Sequence, residues 1–348
     1  MALPNYSVLQ IRPAKDSLTG QAAFVEFLAS IRSSLKAGFM DRLLNTFETI
    51  TLEIANLNQT TFFVIACPSR LEHLVRSQIA AQYPTALITP MKDYLADWLD
   101  HGQPLTAQLV LSGPSQLPLN VTEDDKIDQI TAILGSLSRI PPGQAAVIQI
   151  CLFAAPSNWQ KNLRSSLEPK PVAEGEKAGP NPQKTLIEKK LAYQAFGCDI
   201  RLAGISPSES SSSQLLSQLA AAFGTYALSE GNGFKLKVPK PASHAKLKQM
   251  IIERSAKYSN QYQFLNYAEI AAIYHLPGAN LANINGIAWG KTLRGEPPVG
   301  LPIAEDLSED EKKEINFFAK TEYKNRLVSF GMRKGEDRRR HVYILGKS

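Results

Sequence analysis

The chain has 348 residues, 44% of them apolar, which is too long for one ordinary core and points to two or three domains. Its 38 basic and 32 acidic side chains leave a net charge of +6, which permits contact with an acidic polymer or membrane face and demands neither. No apolar run reaches the roughly 18–20 residues of a membrane-spanning helix, MALPNYSV does not read as a secretory leader, and three cysteines and five histidines stand scattered without metal-ligand spacing, so buried, reduced thiols of a cytoplasmic protein fit best.

Ser7 to Arg12 reads as a strand, and Gly20 to Ala37 places Phe24, Phe27, Leu28, Ile31 and Leu35 on one helical face. Two alternating runs follow, Phe47 to Ala55 and Thr60 to Cys67, joined around Asn56 to Gln59 as a hairpin. Ser69 is placed to cap a helix with Leu71, Leu74, Val75 and Ile79 inward, and Ala86 to Met91 closes the set. The order βαββαβ is that of a ferredoxin-like unit, residues 1–98.

A similar order returns over residues 105–242. Ala107 to Ser112, Ala145 to Ala154, Cys198 to Ile205 and Gly233 to Pro239 read as strands. Asp124 to Leu137, with Ile127, Ile130, Ile133, Leu134 and Leu137 inward, and Ser213 to Leu228 read as helices. The insertion at about 157–194 carries a helix in SNWQKNLRSSL, a mobile loop in EPKPVAEGEKAGPNPQK and a returning helix over Thr185 to Gln194, while SPSESSSSQ reads as a polar capping loop. The expected fold is therefore α+β, two tandem ferredoxin-like domains, the second with an insertion.

Residues 243–320 change character. HAKLKQMIIERSA is a basic helix with Leu247, Met250 and Ile251 on its apolar side, and Asn266 with Glu269 has capping-box spacing. An extended linker rich in glycine and proline surrounds Trp289. Residues 321–348 read as a hairpin and a strand, VYIL, that ends on Gly346, Lys347 and Ser348. A phosphate-binding loop needs G-x-x-x-x-G-K-[ST]. With Gly346 as its second glycine the first would fall on His341, whose side chain obstructs the turn, so Gly346 fits as the first glycine of an incomplete loop, or as a chance terminus.

The run VSFGMRKGEDRRRHVYILGKS resembles the approach to the phosphate loop in bacterial ATPases related to conjugative coupling proteins and type IV secretion motors, within the FtsK–HerA class of translocases. Asp337, Arg338, Arg339, Arg340 and His341 follow that pattern in order, with Ser348 where threonine is usual, and pieces such as AAIYHLPGANL extend the resemblance upstream. The resemblance implies an N-terminal assembly or docking region of a translocating ATPase, cut at the start of the nucleotide loop and inactive alone. It implies a ring of like subunits, hexameric by analogy, secretion-system components and DNA as partners, ATP and Mg in the full-length relative, and a place in the cytoplasm or at the inner membrane face. Arg338, Arg339 and Arg340 would then meet phosphate or a neighbouring subunit. Two rivals stay open, a free-standing interaction module of a secretion apparatus and a nucleic-acid-binding protein using the basic excess.

Overall fold

The computed structural model of the chain describes residues 6–35, 47–100, 103–122, 127–156, 158–165, 167, 183–256, 263–290, 302–323 and 326–335. The chain divides into two units, Met1–Gly290 and Lys291–Ser348.

The first unit is built on strands β1 (Tyr6–Arg12), β2 (Ile50–Leu57), β3 (Thr60–Pro68), β4 (Leu87–Pro90), β5 (Gln103–Leu111), β6 (Ala145–Ala154), β7 (Ala195–Ser206), β8 (Phe234–Lys237) and β9 (Gln263–Asn266). They form one nine-stranded sheet in the order β4-β1-β3-β2-β6-β7-β5-β8, with β9 paired to β7. Every pairing is antiparallel.

The expectation of two tandem ferredoxin-like domains is corrected by this sheet. The strands of the two halves are continuous through β2 and β6, which pair from Ile50↔Leu152 to Asn56↔Ala146. Burial gives the reason. In β2 the side chains of Ile50, Leu52 and Ile54 and those of Thr51, Glu53 and Ala55 are all inaccessible, so neither face of this strand is wet. A strand apolar on one side and closed by long-range partners on the other has its most favourable place inside a larger sheet.

Helices cover both faces. On one side α1 (Gln21–Ile31), α2 (Glu72–Gln82), α4 (Ile130–Leu137), α7 (Glu209–Ala221) and α9 (Tyr267–Ile273) share a core with Leu52, Ile54, Ile148, Ile150 and Leu202. On the other, α3 (Leu95–Leu99) and α8 (Pro241–Ile252) pack Leu95, Leu99, Leu247 and Ile251 on Val8, Val64, Val147 and Ala203. Two short helices, α5 (Trp159–Ser165) and α6 (Lys184–Lys190), pack Leu163, Ile187 and Leu191 with Leu117. The segment expected to be a mobile loop falls largely outside the described residues.

A line of polar side chains crosses the α8 face at one level: Gln10, then Val64 as the apolar exception, then Glu53, Gln149, Arg201 and Gln108, each opposite the next. Glu53 Oε1 accepts from Arg254 Nε at 2.9 Å and from Gln149 Nε2 at 2.9 Å, and Glu53 Oε2 accepts from the Tyr94 hydroxyl at 2.8 Å. Arg201 donates to Gln149 Oε1, to the carboxylate of Asp199 and to the carbonyl of Met250. Arg254 also donates to Asp93 at 2.6 and 3.0 Å. Burial pushes the Asp93 carboxyl up, but the hydrogen bonds and charge of Arg254 outweigh it and hold it below the usual carboxylate range. These contacts fasten the end of α8 and the turn before α3 to the sheet.

Local signals resolve differently in three places. Ser69 starts a 3-10 turn, and α2 follows Leu71 with no side-chain cap. The serine run is helical from Glu209, with Ser208 accepting from the Ser211 amide as its cap. Ile127, expected inward, is 60% exposed, because Asp128 Oδ1 accepts from the Ile130 amide and delays α4 to residue 130. The Asn266–Glu269 capping box forms as read.

The second unit contains α10 (Glu309–Lys313), capped reciprocally by Ser308 and Glu311, and a hairpin of β10 (Ile315–Tyr323) and β11 (Arg326–Arg333). The register shifts between Phe317 and Ala319, where Phe318 packs edge-on against Phe330 while staying half exposed. Among the described residues no helix is long and apolar enough to cross a membrane.

Candidate functional site

The nucleotide-loop residues Gly346, Lys347 and Ser348, and the flanking Arg338, Arg339, Arg340 and His341, lie outside the described residues. The basic helix is α8; Leu247, Met250 and Ile251 face inward, and Lys248 pairs with Asp100 at 2.8 Å. The three cysteines are buried and reduced. Burial pushes the thiols of Cys67 and Cys151 up to about 12, and that of Cys198 further, so none is a poised nucleophile. Among the described residues no group of three or more His, Cys, Asp or Glu side chains could hold a metal ion.

A groove of about 870 Å³ opens between the lip 17–22 ahead of and within α1, the segment 118–122, the turn 127–128, the end of α6 with Tyr193, and the start of α9. Two carboxylates, the buried Glu269 and the partly buried Asp128, build its walls. Glu269, at the third position of α9, accepts from Lys190 Nζ at 2.5 Å, from the Asn266 amide at 2.8 Å and from the Leu119 amide at 2.9 Å. Lys190 and Glu269 are inaccessible, and the pair ties α6, α9 and residue 119 together. Both oxygens of Glu269 are thus committed.

Asp128 builds the opposite end. Its Oδ2 faces His275 Nε2 at 3.2 Å and accepts from Asn280 Nδ2 at 2.9 Å, while Oδ1 accepts from the Ile130 amide. Burial raises the Asp128 carboxyl, yet the hydrogen bond and charge of His275 and the bond from Asn280 bring it below the usual range. The lip is held by the Ala279 amide, which donates to the Ser17 carbonyl at 2.8 Å. That approach requires Gly278, where a Cβ would stand 2.4 Å from the Ser17 oxygen.

The polar floor of the groove is saturated, whereas its rim is not. Leu18 is 94% exposed, Ile127 60% and Tyr193 44%, three of the four large apolar side chains exposed among the described residues of the first unit. Glu26, one turn into α1, stands exposed on the wall. Such an arrangement holds a ligand through apolar contact and hydrogen bonds, with the oxygens of Glu269 and Asp128 committed within its walls and Glu26 an exposed carboxylate on one of them.

Sequence reasoning missed this site. Glu269 was read as a helix cap and is one, and nothing in LIEKKLAYQ distinguishes Lys190 from its neighbours. Ile127 fits a helical stripe so well that its exposure could not be read from spacing.

Among solved structures, the chain resembles a glycopeptide hexose oxidase complexed with teicoplanin (12% identity, 64% of this chain and 41% of that one, TM-score 0.30). It also resembles a xylooligosaccharide oxidase from Myceliophthora thermophila C1 in complex with xylobiose (11% identity, 79% and 55%, TM-score 0.33). The chain thus spans about half the length of these structures or less, and at these TM-scores they bring neither fold nor chemistry to it. No curated protein matches the sequence. The expectation of a docking region of a type IV secretion or conjugation ATPase is corrected: both of these structures are oxidases, and neither is a translocating motor. The matching family model covers residues 2–289 and is described as "Domain of unknown function (DUF8128)", and the chain belongs to that family.

Proposed function

We propose that the first unit is a binding module whose groove takes a small amphipathic organic ligand, an apolar body carrying hydrogen-bonding groups. One observation carries this reading: Leu18, Ile127 and Tyr193, from three separate segments, expose apolar surface around one cavity of about 870 Å³. Ligand pockets span about 300–1,000 Å³ and combine apolar walls with a few fixed polar groups. Isolated apolar side chains on a surface need no explanation, but a group of them around one groove does. The committed oxygens of Glu269 and Asp128 suit both to a structural role in the groove, since a general acid or base must have a proton position open to its substrate.

Octyl glucoside, below its micelle concentration, is a suitable probe because it joins an alkyl chain to hydroxyl groups. Amide chemical-shift changes are expected to cluster at 17–22, 127–131 and 266–280. The Leu18→Ser, Tyr193→Ser variant removes two apolar contacts at about 1 kcal/mol or more each, so its affinity should fall at least roughly tenfold. Shifts elsewhere in the molecule, or unchanged affinity in the variant, would overturn the reading.

A further inference from the structure

The dipeptide Asn-Gly occurs twice in the chain, at Asn232–Gly233 and Asn285–Gly286. A glycine has no side chain to keep its backbone nitrogen away from the carboxamide carbon of the preceding asparagine, so ring closure between the two is open to this pair where bulkier neighbours obstruct it. The fold treats the two pairs in opposite ways. Asn232 is buried. Its Oδ1 accepts from the amides of Gly113 at 2.9 Å and Gly233 at 3.0 Å, and its Nδ2 donates to the Pro114 carbonyl at 2.8 Å. The backbone is fastened as well, since the Asn232 amide donates to the Pro118 carbonyl and the Gly233 carbonyl accepts from the Ser112 amide. A carboxamide gripped in this way cannot turn its carbon toward the glycine nitrogen without giving up buried hydrogen bonds.

Asn285 and Gly286 are both exposed, in a turn that follows the short 3-10 segment Ala279–Leu281. What comes next is tied down. The Thr61 amide donates to the Gly286 carbonyl at 2.7 Å and the Ala288 amide donates to the Thr61 carbonyl at 2.8 Å, so residues 286–288 run parallel beside the start of β3. Between these bonds Ile287 is buried in the core shared with α1 and α4. The Gly290 amide then donates to the Pro13 carbonyl at 2.9 Å. Residues 286–290 thus form a strap whose spacing is fixed immediately after the exposed pair. Gly286 has φ 78°, a region that favours glycine, so the turn itself retains the residue that leaves Asn285 open to attack.

We propose that Asn285 is a self-modification site, at which the folded chain converts asparagine to isoaspartate and aspartate and thereby loosens the 286–288 strap. The Gly286 nitrogen gives up its proton to base in the solvent and bonds to Cγ of Asn285. The Cγ–Nδ2 bond breaks, ammonia leaves, and a succinimide ring is closed. Water then opens the ring at either carbonyl. Cleavage between Cγ and nitrogen leaves aspartate with the backbone restored, and cleavage at the main-chain carbonyl leaves isoaspartate with the backbone routed through Cβ and Cγ. Water is the one co-reactant, and nothing is oxidised or reduced. The isoaspartate link inserts an extra carbon just ahead of Gly286, which pushes its carbonyl out of register with the Thr61 amide.

Mass-spectrometric peptide mapping tests the site on wild-type protein incubated in mildly alkaline buffer, one portion folded and one unfolded in urea. In urea the two asparagines should convert at similar rates, whereas in the folded protein Asn285 should convert at least about tenfold faster than Asn232. Labelling by an isoaspartyl methyltransferase should rise in step, and should fall to background in Asn285→Gln, whose longer side chain closes the corresponding ring far more slowly. In the isoaspartate-bearing fraction, hydrogen-exchange protection of the Thr61 and Ala288 amides should be at least about tenfold lower than in fresh protein. Asn285→Gln carried through the same incubation should keep that protection. Folded-state conversion that is equal at the two asparagines, or absent at Asn285, would overturn the site. Isoaspartate at 285 with Thr61 and Ala288 protected as before would overturn the loosening of the strap.

Discussion

Arg254 bridges two carboxylates of the first unit, Glu53 and Asp93. It reaches the αL region, φ 52°, to place its guanidinium between Glu53, which is inaccessible, and Asp93. Replacing it alone leaves the Glu53 carboxyl inside the α8 layer with Gln149, Tyr94 and Thr51 as donors and no cation. Breaking such a buried pair costs about 3–5 kcal/mol, whereas replacing both partners with apolar groups is often nearly neutral. Arg254→Met is therefore expected to lower the urea midpoint sharply, and Glu53→Leu, Arg254→Met to recover most of the loss. Equal damage from the single and double variants would show that the αL backbone, rather than the charge, sets the cost.

At the scale of elements, close approach is the controlling quantity. Gly197 in β7 faces the ring of Phe153 in β6, where a Cβ would stand 2.2 Å from the ring edge. Gly197→Ala should destabilise by about 1–3 kcal/mol through overpacking, and Phe153→Leu should relieve part of it in a double-mutant cycle. The strands themselves were legible: Ile50, Leu52 and Ile54 alternate plainly, and Ala145 to Ala154 was bounded correctly. Their placement was not. Glu53 in that alternation reads as the wet side of a half-exposed strand, and the side chain that closes over it lies 201 residues away. The groove was hidden for the same reason, since Lys190 and Glu269 become partners only when α6 and α9 meet.

For the first unit as a whole, the β2–β6 seam decides how it unfolds. Two separate domains would melt in two steps, each insensitive to a core change in the other. A continuous sheet couples them, because Ile54 and Ile148 stand opposite each other across the seam and share one core with α1, α4 and α7. Ile54→Ala, a change of about 2–5 kcal/mol, is expected to reduce hydrogen-exchange protection in β1 and β7 by the same factor. Loss confined to β1–β4 would mean that the halves fold independently. The polar line across the α8 face has a further effect on assembly. Side chains alternate between faces, so sliding any one of these strands by a single residue would swing Glu53, Gln149 or Arg201 into the aliphatic layer opposite. The line works as a key cut for one alignment, and a chain arriving out of step meets a charge where hydrocarbon is required.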